Sequence, residues 1–143
     1  MNTFPLKIVT PDGLIFDGEA RQLTLRTIAG DMGVLAQHTD CVVPLGMGRA
    51  ALVDRDGNRR YAACIGGMLS VQNGRVTLIP TTFEWAQSID TARAEQSQAR
   101  AEQVLRSQAA SESEIRLAEA RLRRALVRKS VASHNTVSFR EGH

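Results

Sequence analysis

The chain of 143 residues has few aromatic side chains, only two cysteines and no long apolar run. Aromatic residues make up 4% of the sequence. Proteins that bind single-stranded nucleic acid stack its bases on several aromatic rings, and this chain lacks such a set. Cys41 and Cys64 match neither a zinc-ligand spacing nor a redox CxxC pair, and we expect both to be buried free thiols in a reducing cytosol.

No segment approaches the roughly 18 consecutive apolar residues of a membrane span, and residues 1–10 lack the continuous apolar core of a signal peptide. We therefore expect a protein that is soluble, or attached to a membrane only through its partners.

Proline and glycine are nearly absent from the last third of the chain. All four Pro and ten of the eleven Gly precede residue 81. Because these residues make turns and interrupt helices, their distribution predicts a β domain at residues 1–86 and a helical hairpin at 87–132. Residues 132–143 show no periodicity, which predicts a flexible tail at 133–143. Residues 1–88 hold eight basic and eight acidic side chains, whereas residues 89–143 hold ten and seven and supply the whole net charge of +3. We expect no nucleic-acid-binding surface on the first part.

Short apolar segments separated by turn residues fill the first part of the sequence. Residues 14–16 predict one strand, and residues 20–28 predict another, because they alternate with Leu23 and Leu25 on one side. Gly and Asp in residues 30–33 predict an interruption. Many short strands with turn signals every eight to twelve residues predict an all-β sandwich.

Three dipeptides in this part predict particular turns. The sequences Asp-Gly at residues 56–57 and Asn-Gly at 73–74 are typical of tight β-hairpins. Residues 66–67 are both Gly, but no Lys and no helix follows them, so they do not form a phosphate loop. We expect close backbone packing at a bend there.

The second part is predicted to be an antiparallel pair of helices. One side of the first helix carries Ala94, Gln98, Ala101 and Leu105, and one side of the second carries Ile115, Ala118, Leu122 and Ala125. Ser111 and Glu114 form a capping-box signature for the start of the second helix. The predicted fold class is therefore an all-β N-terminal sandwich followed by a C-terminal antiparallel two-helix hairpin.

His38 and Asp40 form the one candidate catalytic pair of the first part. No Ser or Cys nucleophile motif accompanies them, and His38 lacks a second ligand at metal spacing. We expect no catalytic residue and no metal site, and interpret residues 30–40 as a structural or partner-contacting loop. A small hydrolase that uses this pair is the least favoured hypothesis.

Polar stripes on the two predicted helices form a candidate anion site. Their members are Asp90, Arg93, Ser97 and Arg100 on the first helix and Arg121, Arg124 and Arg128 on the second. If the stripes approach one another, several guanidinium groups converge with one carboxylate, and phosphate fits such a group well. The alternative is a solvated basic face with Asp90 as a helix N-cap. A free-standing sandwich whose basic hairpin binds nucleic acid also stays open.

Five sequence segments, in their order and spacing, resemble one known family. They are VTPDG at residues 9–13, GDMGVL at 30–35 followed by His38, GGMLSV at 66–71, IDTARA at 89–94 and RALVR at 124–128. The family is that of the epsilon subunit of F-type ATP synthases, which is called delta in mitochondria, and the resemblance covers nearly the whole chain. Ala36 and Asp40 stand where Pro is usual in the family.

The resemblance implies a non-catalytic subunit of a proton- or sodium-translocating rotary ATP synthase. In this family the sandwich contacts the central gamma shaft and the membrane ring of c subunits. The hairpin moves between a compact state on the sandwich and an extended state that reaches an acidic segment of the alpha/beta catalytic head and inhibits ATP hydrolysis. The implied partners are thus gamma, the c-ring and the head, with no nucleic acid. The implied location is the cytoplasmic face of the bacterial inner membrane, held there only through the complex.

The resemblance also implies three sets of site residues. Candidate c-ring contacts are Asp31 and His38, and candidate contacts to the catalytic head are Arg116, Arg121, Arg123, Arg124 and Arg128. No cofactor is required, but some bacterial members bind a regulatory ATP through an Ile/Leu-Asp-x-x-Arg-Ala motif. The candidate nucleotide ligands here are Glu84, Ile89, Asp90, Arg93, Ala94, Arg100, Arg124 and Arg128. Leu117 stands where some relatives use a further basic residue.

Overall fold

A computed structural model describes the backbone of residues 2–141 and the side chains of residues 2–133. The chain divides into two compact units, Met1–Trp85 and Ala86–His143. Within the described residues, every helix is too short or too polar to cross a bilayer. The boundary between the units lies next to the predicted one, where the last strand gives way to helix.

The described part of the first unit contains nine strands. They are β1 (Phe4–Thr10), β2 (Gly13–Thr27), β3 (Gly30–Val34), β4 (Cys41–Pro44), β5 (Met47–Asp54), β6 (Arg59–Ile65), β7 (Met68–Gln72), β8 (Arg75–Ile79) and β9 (Thr82–Trp85). The hydrogen-bonded order is β4-β7-β8-β1-β2-β5-β6-β9, with β3 paired to β2. Neighbouring strands run antiparallel, except that β1 and β8 run parallel.

Alternation along the strands builds the core of the sandwich. Phe4, Leu6 and Ile8 on β1 are at most 2% exposed, while the residues between them are partly or fully exposed. Leu23 and Leu25 on β2 are each 1% exposed and join the same apolar cluster. A period of two places all these side chains on one face of the sheet. The predicted β-sandwich is confirmed.

The two strands predicted at residues 14–16 and 20–28 are one strand in the structure. β2 runs without interruption over Gly13–Thr27. Its first half pairs with β1 and its second half with β5, with an irregularity in the β5 register between Ala20 and Gln22. The prediction of a break was wrong because Gly18 and the acidic residues around it are held by the neighbouring strand.

The predicted interruption at residues 30–33 was also wrong. Gly30–Val34 is strand β3, antiparallel to β2, with Met32 and Val34 opposite Leu25 and Leu23. The turn is shorter than predicted, because the Thr27 hydroxyl donates to the Gly30 carbonyl at 2.7 Å and accepts from the Ala29 N–H at 3.1 Å.

The predicted hairpin turns are present. Asn73 and Gly74 both have positive φ, 52° and 77°, as a two-residue type I′ turn requires. In the β5–β6 turn the Asp54 carboxylate accepts from the N–H groups of Asn58 and Asp56, each at 2.9 Å. The hydrogen bonds from Asn58 and then Asp56 lower the pKa of Asp54.

The second unit begins with a short 3₁₀ helix, Ala86–Ser88, followed by helices α1 (Thr91–Arg106) and α2 (Glu112–Glu141). The Ser111 hydroxyl accepts from the Glu114 N–H at 3.2 Å, and Glu114 Oε1 accepts from the Ser111 N–H at 3.4 Å. The predicted capping box is thus confirmed. α2 is helical through Glu141, within the segment for which we predict a flexible tail. The flexibility of that tail stays a prediction, and its last two residues lie outside the described ones.

Most of the buried residues of the two helices have small side chains. Ala94 and Ala101 on α1 and Ala118 and Ala125 on α2 are at most 3% exposed. The spacing of seven in each helix places them on the predicted side. Alanine lets neighbouring helices approach to the short end of the usual 8–10 Å range.

The two cysteines differ in their surroundings. Cys64 on β6 is 3% exposed, as predicted, but Cys41 at the start of β4 is only half-buried. The prediction for Cys41 was wrong because β4 is short and pairs with β7 along one edge, so its first residue keeps contact with solvent. Burial raises the pKa of Cys64 to about 12.

Gly67→Ala should destabilise the sandwich by about 2–5 kcal/mol, the sum of left-handed backbone strain and overpacking. Gly67 has φ +90°, and a Cβ built on it would overlap the carbonyl oxygen of Ile79. Gly74→Ala is the matched control, because Gly74 has φ +77° with nothing within 4 Å, and it should cost only about 1–2 kcal/mol. Urea denaturation measures both values, and equal losses would contradict the packing argument.

Iodoacetamide should alkylate Cys41 much faster than Cys64, because the thiolate is the reactive form and burial raises the pKa of Cys64 from 9.0 to about 12. The folded chain keeps a proton that the unfolded chain loses near pH 9.0. This contribution to stability is therefore complete below pH 9.0 and is lost as the pH rises toward about 12. Peptide mapping measures the alkylation. The free energy of unfolding of Cys64→Ala should fall less steeply with pH over this window than that of Cys41→Ala. Parallel pH curves for the two variants would refute the assignment.

Candidate functional site

The first candidate residues of the nucleotide motif begin α1. Asp90 is the N-cap, and its Oδ1 accepts a hydrogen bond from the Arg93 N–H at 3.1 Å. An acidic N-cap also interacts favourably with the positive end of the helix dipole. The side chains of Asp90 and Arg93 are exposed, Ile89 is half-buried and Ala94 is fully buried. The predicted N-cap is confirmed, and this contact would have to coexist with any ligand at Asp90.

A cleft of ≈ 330 Å³ lies between α1 and α2. Its lining residues are Ser97, Arg100, Ala101 and Val104 from α1 and Glu114, Leu117, Ala118 and Arg121 from α2. The two predicted polar stripes therefore approach one another at this point. Two guanidinium groups and one carboxylate border a floor of apolar side chains, which is a suitable arrangement for a ligand with both an anionic and an apolar part.

Several predicted ligands lie on the hairpin but do not line this cleft. Arg124 is exposed and Arg128 is half-buried on α2, one and two turns beyond Arg121 toward the C-terminus. Leu117, at the position where some relatives are basic, is 47% exposed and lines the cleft itself. An apolar side chain thus replaces a cation at this edge.

Glu84 belongs to the first unit. It lies on β9, where its backbone pairs with Ala63 of β6, and it is half-buried. Its neighbour Trp85 stacks under the Arg60 guanidinium, whose carbon lies 3.6 Å from the ring centroid, and meets Phe83 edge to face at 4.9 Å. This aromatic group fixes the end of the last strand.

The structure contains a hydrogen bond between the two helices that the sequence analysis did not predict. Lys129 Nζ donates to Gln98 Oε1 at 2.8 Å in a half-buried position. The sequence did contain a signal, because Gln98 is on the predicted inner side of α1 and Lys129 follows Ala125 by four residues. A polar pair across the helices favours one register of the hairpin over its alternatives.

The arginines of α2 form two groups. Arg121, Arg124 and Arg128 follow one another at steps of three and four and lie on one side of the helix, beside the cleft. Arg116 and Arg123, seven positions apart, lie together on another side, and both are exposed. The predicted head-contact set is therefore not one continuous stripe.

The candidate ring contacts fall in two different kinds of structure. Asp31 is on β3, exposed, and pairs with Arg26 across the strands at 3.2 Å, a surface ion pair that contributes little stability. His38 is half-buried in the loop of residues 35–40 between β3 and β4. Its Nδ1 contacts the Thr39 carbonyl at 2.8 Å, and since a carbonyl only accepts, Nδ1 carries the proton.

His38 and Asp40 do not act as a catalytic pair. Asp40 Oδ1 accepts from the Asn73 N–H at 2.9 Å, while the His38 nitrogen that a carboxylate would orient already bonds to Thr39. Among the described residues, no three His, Cys, Asp or Glu side chains lie together where they could hold a metal ion.

Two family descriptions match the chain and together span residues 3–133. Residues 3–86 match "ATP synthase, Delta/Epsilon chain, beta-sandwich domain", and residues 87–133 match "ATP synthase, Delta/Epsilon chain, long alpha-helix domain". The chain belongs to the ATP synthase delta/epsilon family. The two matched ranges meet where the sandwich ends and the helical unit begins.

Relatives of similar length support this membership. The ATP synthase epsilon chain of Exiguobacterium sp. is 38% identical over 131 residues, which is 92% of this chain and 96% of that protein. The epsilon chain of Bacillus velezensis is 38% identical over 134 residues, 94% of this chain and 100% of that protein.

Solved ATP synthases share the fold of this delta/epsilon chain. A chain of the Euglena gracilis mitochondrial ATP synthase (OSCP/F1/c-ring) superposes with a TM-score of 0.75 and 24% identity, covering 85% of this chain and 76% of that one. A chain of the Tetrahymena thermophila mitochondrial ATP synthase (central stalk/c-ring) gives a TM-score of 0.62 and 12% identity, covering 90% and 95%.

Family membership decides between the sequence-based hypotheses. A delta/epsilon chain is a non-catalytic subunit of ATP synthase, which excludes the small hydrolase. The alternative of a free-standing nucleic-acid-binding module has no support among the relatives.

Proposed function

We propose that this chain is a central-stalk rotor subunit that couples the gamma shaft to the c-ring and inhibits ATP hydrolysis through a mobile helical hairpin. The observation that carries the proposal is the match of both units, in order, to the two domains of the delta/epsilon chain. The fold neighbours come from ATP synthase complexes with a c-ring, one of them described as the central stalk and c-ring. Gamma, the c-ring and the alpha/beta catalytic head are therefore the proposed partners.

The sandwich supplies the ring contact in this proposal. Asp31 is exposed on β3, and His38 lies in the loop that follows it. Both side chains carry hydrogen-bonding groups at the surface while Val34 between them is fully buried, so the segment is anchored in the core and exposes these two polar groups beside the apolar Leu35. The complex holds the chain at the cytoplasmic face of the bacterial inner membrane, where the ring translocates protons or sodium ions.

The exposed arginines of α2 supply the inhibitory contact. Arg116, Arg121, Arg123 and Arg124 are all exposed, and they carry charge on two sides of the helix. A helix inserted into a cleft of the catalytic head contacts the head on more than one side. Cationic side chains on two sides of α2 can therefore make more contacts with the head than one cationic side could. Electrostatic attraction to an acidic segment speeds the encounter and weakens with salt.

The small buried side chains of the hairpin are compatible with two hairpin positions of similar free energy. A buried methyl group contributes only about 0.8 kcal/mol, and the buried positions of both helices are mainly alanine. Two hairpin positions separated by a few kcal/mol would both be populated to a measurable extent. A ligand that binds one of them at one hundred times its dissociation constant adds about 2.7 kcal/mol, which is enough to move such a balance.

Regulatory ATP is the proposed ligand. The segment of residues 89–94 has every specified residue of the Ile/Leu-Asp-x-x-Arg-Ala motif. Arg100 lines the cleft and Arg93 lies two turns before it on the same stripe of α1. Arg124 and Arg128 on α2 complete the ligand set proposed for the hairpin, and the role of Glu84 as a further ligand stays a prediction.

Reversing the charge of two α2 arginines should relieve inhibition. We expect Arg121→Glu with Arg124→Glu to raise ATP hydrolysis by the reconstituted complex about fivefold or more at low salt, since each like-charge contact at an interface costs at least about 1 kcal/mol. The gain should shrink at high salt. Co-purification with the gamma subunit should be unchanged, because the sandwich makes that contact.

Arg55→Glu with Arg59→Glu is the matched control, because these exposed residues of the β5–β6 hairpin make the same change in net charge. Hydrolysis should stay inhibited in the control. Unchanged hydrolysis in the α2 variant would contradict the inhibitory role, and failure of the wild type to co-purify with gamma would contradict the rotor assignment.

Calorimetric titration with ATP tests the ligand. The wild type should bind ATP, and Arg93→Ala should weaken binding about tenfold or more, since a hydrogen bond to a charged group contributes about 1.5–3 kcal/mol. Asp90→Ala removes both the charge and the N-cap, whereas Asp90→Ser keeps a capping oxygen. Circular dichroism should show full helix content only in Asp90→Ser. If both Asp90 variants nevertheless lose ATP binding, Asp90 acts as a ligand and not only as a helix cap. An absence of binding heat in the wild type would end the ATP proposal.

A further inference from the structure

The loop of residues 35–40 joins β3, which pairs with β2, to the edge strand β4, which pairs with β7. Gln37 has φ +64°, a left-handed conformation that non-glycine residues rarely adopt. Ala36 packs against the core, and Leu35 is 58% exposed. The loop therefore holds an unfavourable backbone conformation while it presents an apolar side chain to solvent, so some contact outside Gln37 must stabilise this shape.

Asp40 makes a long-range contact at the end of this loop. Its Oδ1 accepts from the Asn73 N–H at 2.9 Å, across 33 positions of sequence. Asn73 is the first residue of the two-residue turn between β7 and β8, where Gln72 and Arg75 pair. In such a turn the paired residues bond to each other, so the N–H of the first turn residue has no acceptor within its own hairpin.

The carboxylate extends the pairing of β4 with β7. The last backbone pair of these strands toward the turn is Cys41 with Val71. Asp40 comes directly before Cys41, and Asn73 lies two positions after Val71. The Asp40 side chain thus adds one cross-strand hydrogen bond beyond the point where the backbone pairing ends. Its acceptor is a carboxylate oxygen, and hydrogen bonds to carboxylates are stronger than those between neutral groups.

We propose that Asp40 is a positioning residue that fixes the loop of residues 35–40 to the β7–β8 turn, so that the loop and the turn form one docking element for the c-ring. An open cleft of ≈ 420 Å³ lies between them. Residues 2–5, Ala36 and Gln37 line it together with Asn73, Gly74 and Arg75. Fixing the loop to the turn also fixes two walls of this cleft. The docking role rests on the ring contact proposed above.

Three variants of the full-length chain separate this role from a general loss of stability. Asp40→Ala removes the acceptor, Asp40→Asn keeps an amide oxygen that can accept the same hydrogen bond, and Asp56→Ala removes an exposed carboxylate from the β5–β6 turn. Thermal denaturation shows whether each variant is folded. If Asp40→Ala is unstable, Asp40→Asn is compared with the wild type instead.

Amide exchange measured by NMR tests the positioning itself. We expect the Asn73 amide to exchange about tenfold faster in Asp40→Ala, and the signals of Leu35, Gln37 and His38 to shift or broaden. Asp40→Asn should stay within about threefold of the wild type, and Asp56→Ala should match it. An Asn73 exchange rate and loop signals that are unchanged in Asp40→Ala would overturn the proposal.

Binding to a detergent-solubilised c-ring with its gamma subunit tests the docking role. Asp40→Ala should bind about fivefold more weakly than the wild type, while Asp40→Asn and Asp56→Ala should stay within about twofold. If Asp40→Ala binds the ring as tightly as the wild type although its loop signals are altered, the shape of the loop has no docking role. If the wild type itself does not bind the ring, the proposed function fails, and the exchange data still decide whether Asp40 positions the loop.

Discussion

Close approach of alanine side chains determines how the helical unit is built. Ala101 and Ala118 are each 3% exposed and line the same cleft between α1 and α2. Side chains this small let the helices pack at short distance, so the long arginine side chains lie at the flanks. The cleft between Arg100 and Arg121 is a consequence of this packing. The same small side chains bury little apolar area, so each contributes only a small part of the free energy that holds the two helices together.

The sandwich depends instead on continuous backbone pairing and on a few positions where pairing stops. Gly67 can accommodate the Ile79 carbonyl only because it has no Cβ. Gly67 directly precedes β7, and just beyond the other end of that strand the Asp40 carboxylate accepts from Asn73 where the backbone pairing with β4 ends. His38, one of the two candidate ring contacts, thus lies on a loop that a paired sheet supports, which is the usual arrangement for binding surfaces.

Local sequence signals were sufficient for several contacts that join residues close in the chain. The Ser111 capping box, the Asn73-Gly74 turn and the Asp90 N-cap were predicted correctly, because each depends on side chains within four positions of one another. Predictions failed for the length of β2 and the existence of β3, because pairing with distant strands overrode the local preference of Gly and Asp for turns. The half-buried state of Cys41 depends likewise on which strand lies beside it.

The sequence by itself determined the two-part architecture, since nearly all Pro and Gly lie in the first part and the helical repeat lies in the second. It also contained the family motifs, whose order and spacing were enough to indicate the family. Only the tertiary structure decided that Arg100 and Arg121 border one cleft, that Lys129 bonds to Gln98 and that Asp40 bonds to Asn73. The reason is physical: these contacts join residues 21 to 33 positions apart, and the packing of whole elements, not local propensity, sets their distances.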